Sequence, residues 1–140
     1  KAPGYEIKKV VPDTAPPDPG KKTSLGNHYY IFTESKNGAK VGDEYALIVN
    51  DTVIKKFKSK DDMMVEDITE YLKSGSNLVL ITAVKSDSYG GGSMKNWFRI
   101  IIGEGHEEYN KAVINKTLHK FTRLASDTEP GQSVYTLKAK

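Results

Sequence analysis

Short apolar runs, separated by turn residues at intervals of about 8 to 15 positions, limit the possible folds of this chain more than any other feature. The runs are rich in β-branched and aromatic residues and are too short for core helices, so each predicts a strand. They are HYYIFTES (His28–Ser35), the two halves of EYALIVNDTVIKKF, NLVLITAV (Asn77–Val84), NWFRIII (Asn96–Ile102) and SVYTLKAK at the C-terminus. About seven or eight such strands predict an all-β fold, an antiparallel β-sandwich.

The segment EYALIVNDTVIKKF predicts a β-hairpin, because the turn signal Asn50-Asp51 separates its two apolar runs. Its first strand is apolar on both faces, with Tyr45, Leu47 and Val49 on one face and Ala46 and Ile48 on the other. This pattern predicts a strand buried inside the sandwich.

The continuation KKFKSKDD places four lysines around Phe57. Lysines protect the open edge of a sheet against pairing with another sheet, so the segment predicts an edge strand. Contact with an anionic polymer is the alternative, which the neighbouring Asp61 and Asp62 oppose by repelling anions.

Two further segments complete the predicted secondary structure. The segment VINKTLHKFTRL, residues 113–124, alternates as a strand does. A helix is the alternative, because Val113, Leu118, Phe121 and Leu124 have loosely helical spacing. The β-branched content of the segment favours the strand. DITEYLKSG predicts one short helical turn, in which Asp67 caps the N-terminus, Glu70 completes a capping box and Gly75 closes the C-terminus.

Residues 41–85 carry a pattern that is typical of a known family. One strand ends in Val49-Asn50-Asp51, and a second element follows with Asp67, Ile68, Leu72, Gly75, Asn77 and Leu78. On these residues the chain resembles a galactose-binding-like jelly roll, as found in carbohydrate-binding modules and in accessory domains of glycoside hydrolases. The resemblance implies the jelly-roll form of the sandwich and leaves the function to be argued from a site, because every matched residue has a structural role.

The first 27 residues differ in character from the rest. Four prolines lie between Pro12 and Pro19, which excludes a helix and disfavours a central strand. We therefore expect residues 1–27 to form an extended proline-rich arm or linker, with a possible first strand at Tyr5–Val11, and residues 28–140 to form the sandwich domain.

Composition excludes several classes of function. The chain has no cysteine, which removes disulfides, thiolate catalysis and cysteine metal sites. Its 21 basic and 18 acidic residues are interspersed, so the net charge of +3 does not favour a nucleic-acid partner. No apolar run reaches the roughly 18 residues that a membrane span needs, and we expect no membrane insertion.

The best candidate for a binding site is the glycine-rich loop SDSYGGGSMKNW and the strand that follows it. Tyr89 and Trp97 offer aromatic faces, and Asn96 and Arg99 offer hydrogen-bonding groups, which together suit a sugar ring. The alternative is that Trp97 is a core residue at the start of a strand and that the glycines form a plain hairpin tip.

Metal binding and catalysis have weaker support. Glu104, His106, Glu107 and Glu108 in GEGHEE could ligate a metal, but such a cluster is more commonly a solvated acidic turn. The resemblance implies that a structural calcium ion is the one candidate cofactor, with Asp43, Glu44, Asp61 and Asp62 as available carboxylates.

The three histidines are scattered and no catalytic motif is present, so we expect no enzymatic activity.

Together these observations predict a non-catalytic binding module, extracellular or in the cell envelope, that contacts a glycan or polysaccharide through loop aromatics. The predicted ligand-binding residues are Tyr89, Asn96, Trp97 and Arg99. The alternative is a structural or assembly domain of a larger surface or multi-subunit protein, which docks a protein partner.

Overall fold

The computed structural model describes residues 27–86 and 92–140, and these form an all-β sandwich of two antiparallel sheets. The prediction of an all-β antiparallel sandwich is confirmed. The eight strands are β1 (His28–Lys36), β2 (Asp43–Val49), β3 (Thr52–Lys58), β4 (Val65–Asp67), β5 (Gly75–Lys85), β6 (Trp97–Glu108), β7 (Lys111–Leu124) and β8 (Gly131–Ala139). The arm predicted for residues 1–27 and its strand at Tyr5–Val11 lie outside the described residues, apart from Asn27.

The two sheets have four strands each. The first sheet has the order β4-β1-β6-β7 and the second has the order β3-β2-β5-β8, so consecutive strands often belong to opposite sheets. The core fills the space between them, where Tyr45 stacks on Phe57 at 5.2 Å and on Phe98 at 5.0 Å between ring centroids, and Phe57 is tilted against Phe98 at 6.4 Å. Such offset aromatic contacts add to the stabilisation from apolar burial.

The β2–β3 hairpin forms as predicted. Asn50 and Asp51 have φ angles of 49° and 71°, the left-handed conformation that a two-residue hairpin turn requires. β3 is one of the two edge strands of the second sheet, so the prediction that this lysine-rich segment is an edge strand is confirmed. The pairing with β2 shifts register between Leu47 and Ile48, which further disrupts the edge.

The prediction that β2 is buried on both faces is wrong, and the strand that is buried on both faces is β1. In β2 the face carrying Ala46 and Ile48 is only half-buried, because it is the outer face of the second sheet. By contrast, β1 lies between β4 and β6 and is buried from Tyr29 to Glu34. Phe32 and Ile101 form a second, smaller apolar cluster on the outer face of the first sheet, with Val65 and Ile114 packed against them.

β6 and β7 are longer than the sequence predicts. Residues 104–108, predicted to be an acidic turn, continue β6, and the turn lies at Tyr109-Asn110 instead. The pairing with β7 shifts register twice, and β7 approaches β6 closely at Gly103 and Gly105. A Cβ added to Gly105 would collide with the carbonyl oxygen of Val113, so this approach requires glycine.

The predicted helical turn is a short 3-10 turn over Thr69–Tyr71, and a second 3-10 turn covers Gly38–Lys40. Asp67 accepts hydrogen bonds from the backbone N–H of Thr69, at 2.9 Å, and from its hydroxyl. Asp67 thus contacts the turn through Thr69, but the prediction that it caps the turn is wrong: the N-cap is Ile68, with no side-chain cap hydrogen bond, and Asp67 belongs to β4, a strand that the sequence does not predict. Gly75 has a φ of 96° and begins β5 instead of ending a helix.

Candidate functional site

Trp97 and Arg99 lie side by side on the outer face of the first sheet. They are separated by Phe98, which points into the core and is 2% exposed. Successive residues of a strand point to opposite faces, so this alternation places the indole and the guanidinium outside the core. Trp97 is half-buried and is not a member of the core cluster.

Arg99 is held by three side chains. Its guanidinium carbon lies 4.4 Å from the centroid of the Trp97 ring, within the range of a cation–π contact. Its Nη1 donates to Glu34 Oε2 at 3.1 Å, and its Nε donates to Thr122 Oγ1 at 2.9 Å. The guanidinium is therefore fixed in orientation by strands on both sides of β6.

The sheet register explains these contacts. Arg99 pairs with Glu34 of β1 on one side and with Thr122 of β7 on the other. Glu34 and Thr122 were not predicted as site residues. Their alternation in the sequence marks them as outward-facing, but their proximity to Arg99 depends on a register that no local pattern contains.

Asn96 anchors the end of the glycine-rich loop. Its Oδ1 accepts from Asn37 Nδ2 at 2.9 Å, and its carbonyl accepts from the backbone N–H of Ala125 at 2.9 Å. Asn96 thus directly precedes the Trp97–Arg99 pair at one end of β6, with its side-chain oxygen bonded to Asn37. The fourth predicted residue, Tyr89, belongs to residues 87–91 and lies outside the described part of the chain.

The opposite end of the same face carries ionisable groups. His28 Nδ1 donates to Asp67 Oδ2 at 2.7 Å, and the His28 ring stacks on Tyr30 at 6.1 Å between centroids. The hydrogen bond to Asp67 raises the pKa of His28, against the effect of burial. Burial acts to raise the pKa of Asp67, but the hydrogen bonds from His28 and Thr69 outweigh it and lower the pKa.

The residues considered for a metal do not converge. Glu104 accepts from Asn27 Nδ2 at 2.6 Å, whereas the exposed His106 has its ring nitrogens near Asn115 and Glu108. Asp43 is bound by Arg123 and Lys85. Within residues 27–86 and 92–140, no three His, Asp or Glu side chains come together as a metal site.

Two shallow cavities lie elsewhere on the molecule. One of about 220 Å³ is bordered by Gly42, Glu44, Ser59 and Ser86, and the other, of about 190 Å³, lies beside Phe57. Neither is lined by Trp97 or Arg99. The Trp97–Arg99 surface therefore belongs to neither of these two cavities and lies on the outer face of the first sheet.

No protein-family model, curated protein or solved structure matches this chain. The two-sheet antiparallel sandwich is compatible with a jelly roll. Among the helical turns of the described residues, none is long and apolar enough to cross a membrane.

Proposed function

We propose that this protein is a non-catalytic binding module, extracellular or in the cell envelope, that contacts a glycan on the outer face of the first sheet. The observation that carries the proposal is the Trp97–Arg99 pair, in which a half-buried aromatic ring and a fixed, half-buried guanidinium share one end of β6 on the outer face of the first sheet. The galactose-binding-like resemblance supports the same class of ligand.

The chemistry of the pair suits a sugar. The apolar C–H face of a pyranose packs on an indole, and its hydroxyls accept from planar donors. Arg99 has five N–H groups, and its bonds to Glu34 and Thr122 fix the plane in which the other donors point. Because this donor is already ordered, binding costs less side-chain entropy than it would at a flexible arginine.

The test is a screen of glycans and polysaccharides against the wild type and Trp97→Ala. We expect binding to be lost in Trp97→Ala and weakened in Arg99→Leu, with both variants folded. Tyr109→Ala is the matched control, because Tyr109 is a 90% exposed aromatic at the far end of β6 and should not contribute. Absence of binding to every polymer, or equal loss in Tyr109→Ala, would contradict the proposal.

A second candidate function, an assembly domain, is favoured by the outer face of the second sheet. Val53, Ile48, Leu80 and Val134 are neighbours in the register and form one apolar row across all four strands. Val53 and Val134 are 51% and 56% exposed. Continuous exposed apolar surface is typical of protein contacts, and an oligomer that grows with concentration in solution would support this function.

A further inference from the structure

We propose that a second copy of this chain pairs with the open edge of β8, so that two β8 strands form an antiparallel ladder and the two second sheets become one. This inference rests on the assembly function proposed above and specifies its partner and its contact. It is carried by a comparison of the four edge strands in the described residues, which are β4, β7, β3 and β8.

Three of these edges carry features that prevent pairing with another chain. β4 is only three residues long. β3 contains Lys55, Lys56 and Lys58 and a register shift against β2. β7 contains Lys111, Lys116 and Lys120 and two register shifts against β6. Short length, lysines and bulges are the usual means by which a sheet protects its edges.

β8 has none of these protections over most of its length. Its pairing with β5 runs without a shift from Gly131 to Ala139, and Lys138 is its one charged residue, placed near the end. No described strand pairs with its other side. A regular edge of nine residues with a single charge near its end is the geometry that accepts another strand.

β8 is also held in position by the first sheet. His119 of β7 lies 2.5 Å from the Ser133 hydroxyl through its Nε2, and its ring stacks on Tyr135 with centroids 4.8 Å apart. These contacts hold the middle of the strand extended, so an incoming strand meets a preformed edge.

The strand is complementary to itself. An antiparallel pair with its two-fold axis at Tyr135 places Lys138 opposite Gln132 of the other copy and Val134 opposite Thr136, so no like charges meet. In this register the Val134 residues of the two copies are diagonal neighbours, so the two apolar rows would lie next to each other on one face. Since a single ladder buries less than the roughly 1,200 Å² of a standard interface, we expect a weak, concentration-dependent dimer.

The test is sedimentation of the full chain from micromolar to several hundred micromolar concentration. We expect the wild type to dimerise, and the double variant Val134→Lys, Thr136→Lys to raise the dissociation constant by about tenfold or more, because the lysines protect the edge. Leu78→Lys is the matched control. Leu78 is exposed on the same outer face but belongs to β5, which is not an edge strand, so this variant should dimerise like the wild type.

Each other outcome overturns a defined part of the proposal. If Leu78→Lys weakens association as much as the double variant, the copies pack face to face; the edge pairing is then wrong and the assembly function stands. If the wild type is monomeric throughout, self-assembly through the second sheet and the edge pairing are both wrong. Thermal melts of each variant show whether it is folded.

Discussion

Arg123 of β7 and Asp43 of β2 form a two-point ion pair that joins the two sheets. Arg123 Nε donates to Asp43 Oδ2 at 3.0 Å and Nη2 donates to Oδ1 at 3.2 Å. The side chains are 7% and 0% exposed, and Lys85 Nζ adds a third contact to Asp43 Oδ2 at 3.3 Å. One carboxylate and two cations thus meet at one end of the sandwich.

Asp43→Asn should lower the free energy of unfolding by about 3 kcal/mol or more, because it leaves the two cations buried without their counter-charge. Urea denaturation measures the change. Glu44→Gln, at the neighbouring exposed position, should change stability by less than about 0.5 kcal/mol. Equal effects of the two substitutions would show that the ion pair contributes little.

Gly105→Ala should destabilise the protein by about 2 kcal/mol, because the new Cβ would collide with the backbone of Val113 and a backbone cannot move aside as a flexible side chain can. The measurement is the midpoint of thermal or urea unfolding. Glu108→Ala, on an exposed position of the same strand, is the control. A neutral Gly105→Ala would mean that β7 does not approach β6 as closely as described.

Asn77→Ala should cost about 3 kcal/mol, because the buried amide is hydrogen-bonded on both sides. Its Oδ1 accepts from the backbone N–H of Lys73, and its Nδ2 donates to the carbonyls of Lys73 and Gly75. Removing it leaves backbone groups without partners where the chain enters β5. Asn115→Ala, at an exposed asparagine, should have little effect on the unfolding midpoint.

Tyr30→Phe should leave stability unchanged or raise it by about 1 kcal/mol, since the Tyr30 hydroxyl is buried with no hydrogen-bond partner in the described structure. The adjacent Tyr29 is the contrasting control, because its hydroxyl accepts from the backbone N–H of Lys140 at 3.2 Å. Tyr29→Phe should therefore destabilise. Chemical denaturation measures the free energy of unfolding of both variants. A destabilised Tyr30→Phe would show that the Tyr30 hydroxyl does have a hydrogen-bond partner.

His28 and His119 should affect the pH dependence of stability in opposite directions. The pKa of His28 is raised by Asp67, so its contribution is complete below the unfolded value of 6.5 and is lost as the pH rises through the folded pKa. The melting-temperature difference between wild type and His28→Gln should therefore shrink from about pH 6 to about pH 8.

Burial lowers the pKa of His119, so its contribution is complete above 6.5 and is lost as the pH falls towards the folded pKa. The difference between wild type and His119→Gln should shrink as the pH falls from about 7 to about 5. If the melting-temperature difference shrank in the same direction of pH for both variants, the surroundings of His28 or of His119 would differ from those described.

The strands were predictable because strand formation is encoded locally. Alternation, β-branched content and turn residues identified seven of the eight strands, including the β2–β3 hairpin at Asn50-Asp51. The missed strand, β4, has only three residues and no alternation long enough to detect. The ends of β6 and β7 were also missed, because Glu104–Glu108 is polar and becomes a strand only through pairing with β7.

The candidate site was predictable only in part. Asn96, Trp97 and Arg99 are neighbours in sequence, so their proximity follows from the chain itself. By contrast, Glu34 is 65 positions from Arg99 and Asp43 is 80 positions from Arg123, so a local sequence pattern could predict neither contact.

By itself, the sequence determined that this chain forms short strands and which face of most of them is apolar. The tertiary structure decided which strands are neighbours, that Arg99 beside Trp97 is fixed by Glu34 and Thr122, and that β8 is an edge strand within the described residues. The physical reason is that strand formation depends on residues a few positions apart. Sheet order and register depend instead on the joint packing of all strands around one core.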